Sequence, residues 1–102
     1  MESKIVTAIC QYLQFEENLG RLYHIRNNSG AYKVGNRFIR FGKAGSSDII
    51  IFLPNGKTIF AEVKTEKGKQ NKNQINFQAS IEKLGFEYHI VRKPSDIEKL
   101  IK

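Results

Sequence analysis

Two carboxylates and a lysine stand at positions where two neighbouring strands would bring them together. Asp48 precedes the apolar run IIIFL, and Glu62 and Lys64 lie at the end of the run TIFAEVK. Adjacent carboxylates repel each other, and they are stable together around a hard cation such as Mg²⁺. A metal held by Asp48 and Glu62 would bind a phosphate oxygen and lower the pKa of a water molecule. Lys64 would orient that water or offset negative charge on the phosphorus centre. These groups suit phosphodiester hydrolysis.

The hairpin turn between the two strands decides whether these side chains meet. If residues 54–56 (PNG) form a three-residue loop with Gly56 left-handed, Asp48 lies opposite Glu62, with Cβ atoms ~5 Å apart. Lys64 then points to the same side, because side chains alternate along a strand. If the loop consists of residues 55–56 alone, Asp48 faces Val63 instead.

A purely structural explanation of the same residues also exists. Asp48 would then be an ordinary residue at the start of a strand, and Glu62 and Lys64 an exposed pair on a solvated face. The chemical interpretation is favoured because both acids interrupt strands that are otherwise apolar on both faces. A carboxylate in a buried strand is costly unless it is paired or bound to a metal.

The elements that must position these residues follow from periodicity and turn residues. Helical spacing predicts helices over 4–19 and 72–84, and a last helix opening at Pro94, where Ser95 and Glu98 would form a capping box. Alternation and β-formers predict strands at 21–26, 48–53, 57–63 and 88–92, with a further short strand at 37–41. The rest of 31–47 is not assigned. The order α-β-β-β-α-β-α predicts a mixed α/β domain over residues 1–102.

Composition narrows the class of protein. The chain of 102 residues carries 17 Lys and Arg against 10 Asp and Glu, a formal charge of +7, which favours a polyanionic partner such as nucleic acid. No apolar run approaches the ~18 residues that a membrane helix needs, so no membrane association is expected. The N-terminus does not resemble a signal peptide. A single cysteine, Cys10, suits a reducing cytoplasm.

Several motifs together resemble the VRR-NUC family of the PD-(D/E)xK nuclease superfamily. The matching residues are Gly45-Ser46-Ser47-Asp48, Ala61-Glu62-Val63-Lys64, Gly68 and Gln74. Ser47 departs from the superfamily pattern, which expects proline there, but that position is not a metal ligand in the pattern. The resemblance implies a restriction-endonuclease-like core, in which a central mixed β-sheet is flanked by helices.

The resemblance also implies roles for individual residues. Asp48 and Glu62 would be ligands of Mg²⁺ or Mn²⁺, completed by the backbone carbonyl of Val63, and Lys64 would be the catalytic lysine. Glu2 resembles an acid of the first helix that assists the metal site. Its alternative role is an acid that favours the helix dipole, worth ~0.5 kcal/mol.

Gln74 resembles a helix glutamine that faces the family's catalytic site. Its alternative role is a capping box with Asn71, since N-x-x-Q fits that pattern.

Basic residues supply candidate contacts to nucleic acid. Lys67, Lys69 and Lys72 lie in the polar segment after Lys64, where they would contact phosphates or simply be solvated. A second basic cluster contains Lys33, Arg37, Arg40 and Lys43, interleaved with Phe38 and Phe41. We expect those two aromatic rings in the core rather than on a base-stacking surface. Arg26 matches an arginine often seen in the family. The predicted contact set is Arg26, Lys43, Lys67, Lys69 and Lys72.

The sequence therefore predicts a DNA endonuclease dependent on Mg²⁺ or Mn²⁺. A domain this small leaves little surface for reading bases, so we expect selectivity for branched or junction DNA rather than for sequence. Small members of the family look like phage or bacterial proteins, and a homodimer would place two sites on two strands. The alternatives are a catalytically inactive nucleic-acid-binding module and a partner of an acidic protein. RNA remains open as a substrate.

Overall fold

The computed structural model describes residues 2–27 and 30–102, and in that part of the chain three helices and six strands form. The helices are α1 (Glu2–Asn18), α2 (Lys72–Lys83) and α3 (Pro94–Ile101). The strands are β1 (Tyr23–Arg26), β2 (Gly30–Val34), β3 (Arg37–Phe41), β4 (Ile49–Phe52), β5 (Thr58–Val63) and β6 (Glu87–Val91). None of the helices within these residues is long and apolar enough to span a membrane.

Four strands form the central sheet in the order β1-β4-β5-β6. β4 pairs antiparallel with both β1 and β5, whereas β6 joins β5 in parallel after the crossover through α2. A parallel pair needs such a crossover connection, and α2 provides it. The mixed sheet and its flanking helices confirm the predicted fold class. They correct the predicted element order, because five strands rather than three or four precede α2.

One face of the sheet holds the hydrophobic core. Its strands contribute every second residue, and Ile49, Ile51 and Ile59 have no exposed surface. Helix α1 covers this face with Val6, Ile9 and Leu13, and α3 adds Ile97. The alternation that the sequence showed therefore places the odd-numbered residues of β4 and β5 against α1 and the even-numbered ones on the opposite face.

Helix α2 covers only part of the opposite face. Phe60 of β5 packs edge-on against Phe77 of α2, with ring centroids 5.9 Å apart, and against Phe86, at 5.6 Å. The helical spacing of residues 72–84 predicts an apolar stripe that includes Ile75 and Leu84, and this is wrong at both ends, because the two side chains are 52% and 73% exposed. The middle of α2 therefore rests on the sheet. The strand that it contacts most is the edge strand β6.

The strands β2 and β3 form a separate two-stranded sheet, which we call the ribbon (residues 30–41). The sequence predicted only the second of these strands. The expectation that Phe38 and Phe41 lie in the core is wrong, because the two side chains are 71% and 47% exposed. Their segment pairs with β2 rather than with the central sheet, so no core reaches them.

Two local predictions have different outcomes. The loop between β4 and β5 has the predicted three residues, 54–56, with Gly56 left-handed at φ 78°, and Asn55 also adopts positive φ, at 68°. The predicted capping box of α3 does not form, because Lys93 is the N-cap and no side chain bonds there. Instead Asp96 accepts the backbone N–H of Arg92 at 2.9 Å.

Candidate active site

The register between β4 and β5 brings the two predicted carboxylates together. Ile49 pairs with Ala61, and Phe52 pairs with Thr58, so the ladder continues to place Asp48 opposite Glu62. This is the register that the sequence predicted for a three-residue loop. The Asp48 side chain is held in place by the backbone N–H of Val63, which donates to Oδ2 at 2.8 Å.

The segment that carries Asp48 is fixed from both sides. The backbone N–H of Asn27 donates to the carbonyl oxygen of Asp48 at 2.7 Å, and the Asn27 amide donates to Ser46 and Ser47. On the other side Gly45, at φ 81°, passes so close to α2 that a Cβ built there would lie 2.3 Å from the carbonyl oxygen of Asn73. Only glycine fits this approach, so the GSSD motif has a packing reason for its first residue.

Glu62 is the most deeply buried acid of the cluster, with 1% of its surface exposed. Burial, together with the neighbouring carboxyl groups of Asp48 and Glu2, raises its pKa to about 8. The nearby charge of Lys64 acts in the opposite direction. A buried carboxyl group of this kind holds a proton near neutral pH unless a cation replaces it.

Glu2, Asp48 and Glu62 form the acidic cluster of the protein. One carboxylate oxygen from each residue lies within 4.8 Å of the other two. Helix α1 begins at Glu2, two residues earlier than predicted, and its first turn reaches the end of the sheet where Asp48 and Glu62 meet. Hard oxygen donors at this spacing fit a divalent cation such as Mg²⁺. The role of the Val63 carbonyl stays a prediction.

Gln74 serves two contacts at once. Its side-chain oxygen accepts the backbone N–H of Asn71, and the Asn71 side chain accepts the backbone N–H of Gln74, each at 2.9 Å. This is the capping box that the sequence offered as an alternative. The other end of the same amide, Nε2, donates to Oε2 of Glu62 at 3.0 Å. The cap therefore aims the amide at the acidic cluster.

Tyr88 is a member of the site that sequence reasoning missed. It lies on β6 beside β5, and its hydroxyl reaches Oε1 of Glu62 at 3.5 Å. Gln70 donates to the same hydroxyl at 3.2 Å. Burial raises the pKa of Tyr88 to about 12, so it stays protonated and able to donate. No local motif in the sequence identifies Tyr88 as part of the site. The parallel pairing of β6 with β5 is what brings it to Glu62.

Lys64 lies just beyond the end of β5 and has only 7% of its surface exposed. Its backbone N–H donates to the carbonyl of Val91 at 3.0 Å, so the parallel pairing with β6 continues past the strand. Alternation from Glu62 places its side chain on the same side of the sheet. A buried ammonium group therefore stands beside the acidic cluster.

Arg92 holds the loop that follows Lys64, a role that sequence reasoning missed. Its Nη1 donates to the carbonyl oxygens of Thr65, at 2.5 Å, and Gly68, at 2.9 Å, with a longer bond of 3.2 Å to that of Glu66. Charge-assisted hydrogen bonds are stronger than neutral ones. One guanidinium thus fixes the path of the chain between Lys64 and α2.

The fold places the predicted nucleic-acid contacts in three separate regions. Lys67, Lys69 and Lys72 are exposed along the loop held by Arg92 and at the start of α2, beside the acidic cluster. Lys43 is exposed after the ribbon. Arg26 pairs across the sheet with Ile49 and so lies on the face of α1, away from the side chain of Glu62.

Comparisons with known proteins bear on the family and the fold of the chain. The family model of the VRR-NUC domain matches residues 2–93. A solved structure named as a VRR_NUC domain superposes with a TM-score of 0.67 and 24% sequence identity, covering 98% of this chain and 92% of that one. The superposition establishes a shared fold. A comparison with curated protein sequences finds no match.

Proposed function

The chain belongs to the VRR-NUC domain family, a family of nucleases, and on that premise we propose that it is a metal-dependent DNA endonuclease. One observation carries the proposal. Carboxylate oxygens of Glu2, Asp48 and Glu62 lie within 4.8 Å of one another, at the end of a sheet where Lys64 is also buried. Carboxylates and a lysine together supply what phosphodiester hydrolysis requires.

Asp48, Glu62 and Glu2 would hold Mg²⁺ or Mn²⁺. The bound ion supplies Lewis-acid chemistry, by polarising a phosphate oxygen and lowering the pKa of a water. The pKa of about 8 at Glu62 supports this assignment, because a carboxyl group that is costly to ionise alone is stabilised by a cation. Gln74 and Tyr88 orient the two oxygens of Glu62 by donating one hydrogen bond to each.

Lys64 would stabilise charge on the scissile phosphate. Its burial removes competing water, and a fixed positive group in such an environment acts more strongly than one in solvent. The exposed lysines of the adjacent loop, Lys67 and Lys69, would contact flanking phosphates and position the strand.

A homodimer and selectivity for branched DNA are further parts of the proposal. Tyr23, Ile25 and Phe52 lie together on the sheet face that α2 leaves open, and they are 58%, 43% and 37% exposed. Burying these side chains against a second copy would place two catalytic sites on one DNA molecule. A junction or flap offers two strands close together, one for each site.

The location that we propose is the cytoplasm of a bacterial cell, with a phage as one possible source of the gene. The single cysteine, Cys10, leaves no internal disulfide to form, which suits a reducing compartment. DNA is the proposed substrate, and RNA is included in the test below.

A cleavage assay tests the proposed function. End-labelled duplex, single strand, flap, four-way junction and a matched RNA are incubated with Mg²⁺, Mn²⁺, Ca²⁺ or chelator. We expect metal-dependent cutting that is strongest on branched DNA and falls at least ~100-fold in Lys64→Ala. Lys57→Ala is the control, because Lys57 pairs with Glu87 at the opposite end of β5. Binding without cutting by the wild type would instead indicate a binding module.

Sedimentation tests the dimer. The wild type should sediment as a dimer with and without DNA, and Tyr23→Asp should shift it toward monomer. A wild type that stays monomeric under both conditions contradicts this part of the proposal without affecting the cleavage result.

A further inference from the structure

The ribbon carries two faces of different chemistry. In an antiparallel pair, residues directly opposite each other share a face, and successive residues alternate. Tyr32 pairs with Ile39, and the ring of Tyr32 lies 6.2 Å from that of Phe41. Val34, paired with Arg37, continues this face, which we call the apolar face after its uncharged majority. Its side chains pack on one another across the two strands and so hold the ribbon together.

The other face presents cations around one aromatic ring. Lys33 pairs directly with Phe38, and Arg40 follows two residues later on the same strand, opposite the small side chain of Ala31. Phe38 is 71% exposed, more than any other large apolar side chain of the ribbon. We call Lys33, Phe38 and Arg40 the cationic face. Phe38 therefore presents an aromatic ring to solvent between two cations, in a position to contact an external partner.

Charge indicates the class of that partner. Residues 30–43 contain four basic side chains and no acid. This segment therefore holds four positive charges of a chain whose net charge is +7. A second copy of the ribbon would bring like charges together, whereas a polyanion would neutralise them.

The chain on both sides of the ribbon leads to the acidic cluster. Before the ribbon, the backbone N–H of Asn27 donates to the carbonyl oxygen of Asp48, and after it Asp48 itself follows seven positions beyond Phe41. Strands of five residues give the ribbon a length of ~17 Å, which corresponds to about five base pairs of duplex. A nucleic acid bound at the acidic cluster therefore has the cationic face within reach.

We propose that the cationic face of the ribbon binds the DNA substrate beside its scissile phosphate. Lys33 and Arg40 contact backbone phosphates, and the ring of Phe38 stacks on an unpaired base at the branch point. This inference rests on the proposed function and adds the substrate feature that is recognised, a base outside the duplex. Aromatic rings stack on any base, so the contact selects structure rather than sequence.

A single-tryptophan reporter tests the stacking. The chain contains no tryptophan, so Phe38→Trp introduces one fluorophore at the proposed contact. In chelator, where no cleavage takes place, we expect its emission to be quenched by an oligo-dT strand and by a flap, but not by a blunt duplex. Phe15→Trp is the matched control, because Phe15 on α1 is 62% exposed and lies outside the ribbon. Equal quenching of both reporters, or equal quenching by duplex and flap, would overturn the stacking.

Fluorescence anisotropy of a labelled flap DNA, measured in the presence of chelator, tests binding by the whole cationic face. Phe38→Ala should weaken binding about tenfold. The logarithm of the binding constant falls linearly with the logarithm of the salt concentration, and Arg40→Gln should make this slope shallower by about one. Arg37→Gln removes the same charge from the opposite face of the ribbon and should lower the slope less. Equal slopes for the two arginine variants would overturn the face assignment.

The outcomes separate this inference from the proposed function. A wild type that cuts DNA while the ribbon variants bind as tightly as it does leaves the nuclease and overturns the inference. Ribbon variants that lose dimerisation in sedimentation, with DNA affinity unchanged, would assign the ribbon to a second copy and also overturn it. Weakened flap binding in chelator supports the inference whether or not the protein cuts.

Discussion

The side-chain amide of Gln74 donates a hydrogen bond of 3.0 Å to Oε2 of Glu62 while its oxygen accepts the backbone N–H of Asn71 at 2.9 Å. The sequence offered a helix cap and a site contact as alternatives for this glutamine. They are compatible because an amide has an acceptor at one end and a donor at the other. The start of α2 therefore fixes the orientation of a side chain that touches the acidic cluster.

Two substitutions distinguish the role of Gln74 in the cap of α2 from its contact with Glu62. Asn71→Ala removes the acceptor for the N–H of Gln74 and should cost about 1 kcal/mol in the free energy of unfolding. It leaves the backbone N–H that orients Gln74, so cleavage should stay within about twofold of the wild type. Gln74→Ala should cost a similar stability but lower cleavage about tenfold at limiting metal. Urea unfolding and a metal titration of the cleavage rate measure both effects. Equal losses of cleavage in the two variants would show that Gln74 acts only through the helix.

The raised pKa of Glu62 predicts how stability depends on pH in chelator. The folded pKa, about 8, lies above the ordinary value of 4.5 for a glutamate, so the folded state binds the proton more tightly. This contribution is fully present below pH 4.5 and is lost as pH rises through about 8. The slope is at most about 1.4 kcal/mol per pH unit. Thermal or urea unfolding of the wild type from pH 5 to 9 should show this decline.

Glu62→Gln is the control for that decline, because it carries no titrating proton. The difference in unfolding free energy between wild type and variant isolates Glu62 from Glu17 and Glu87, whose pKa values are lowered. Mg²⁺ should restore stability to the wild type at high pH and do little for the variant. Parallel pH profiles for the two proteins would rule out Glu62 as the source.

Gly45→Ala tests the close approach of the loop before Asp48 to α2. A Cβ there would lie 2.3 Å from the Asn73 carbonyl oxygen, and the φ of 81° already disfavours alanine. We expect a loss of about 3 kcal/mol and weaker cleavage, since the loop must move. Gly35→Ala is matched, because Gly35 also has positive φ but no atom lies within 4 Å of its Cβ position. That variant should cost only about 1 kcal/mol. If the two variants lose similar amounts of unfolding free energy, the positive φ alone explains the loss and the close approach to α2 contributes nothing.

Arg92→Met tests the loop between Lys64 and α2. Losing hydrogen bonds to the carbonyls of Thr65 and Gly68 should cost about 2 kcal/mol. The loop contains Lys67 and Lys69, so trypsin should cut it faster in the variant. Arg21→Met is the control, because Arg21 pairs with Glu16 away from this loop. Trypsin cleavage at an unchanged rate would contradict the holding role of Arg92.

Local signals in the sequence were enough to predict most helices and strands and the pairing of β4 with β5. The periodicity of α1, the alternation of β4 and β5 and the PNG turn predicted their positions and register. Of the two registers that the turn allowed, the structure has the one with a three-residue loop, which places Asp48 opposite Glu62. These features depend on residues close in sequence, where side-chain spacing and turn geometry are decisive.

Other features were decided by the tertiary structure alone. Tyr88 reaches Glu62 only because β6 pairs in parallel with β5, and Arg92 reaches Thr65 across 27 positions of sequence. Phe38 looked like a core residue because aromatic rings are usually buried. Its exposure follows from the pairing of β3 with β2 instead of with the central sheet, which leaves no layer to cover it. The sequence by itself determined which groups can do chemistry, and long-range strand pairing determined which side chains surround them.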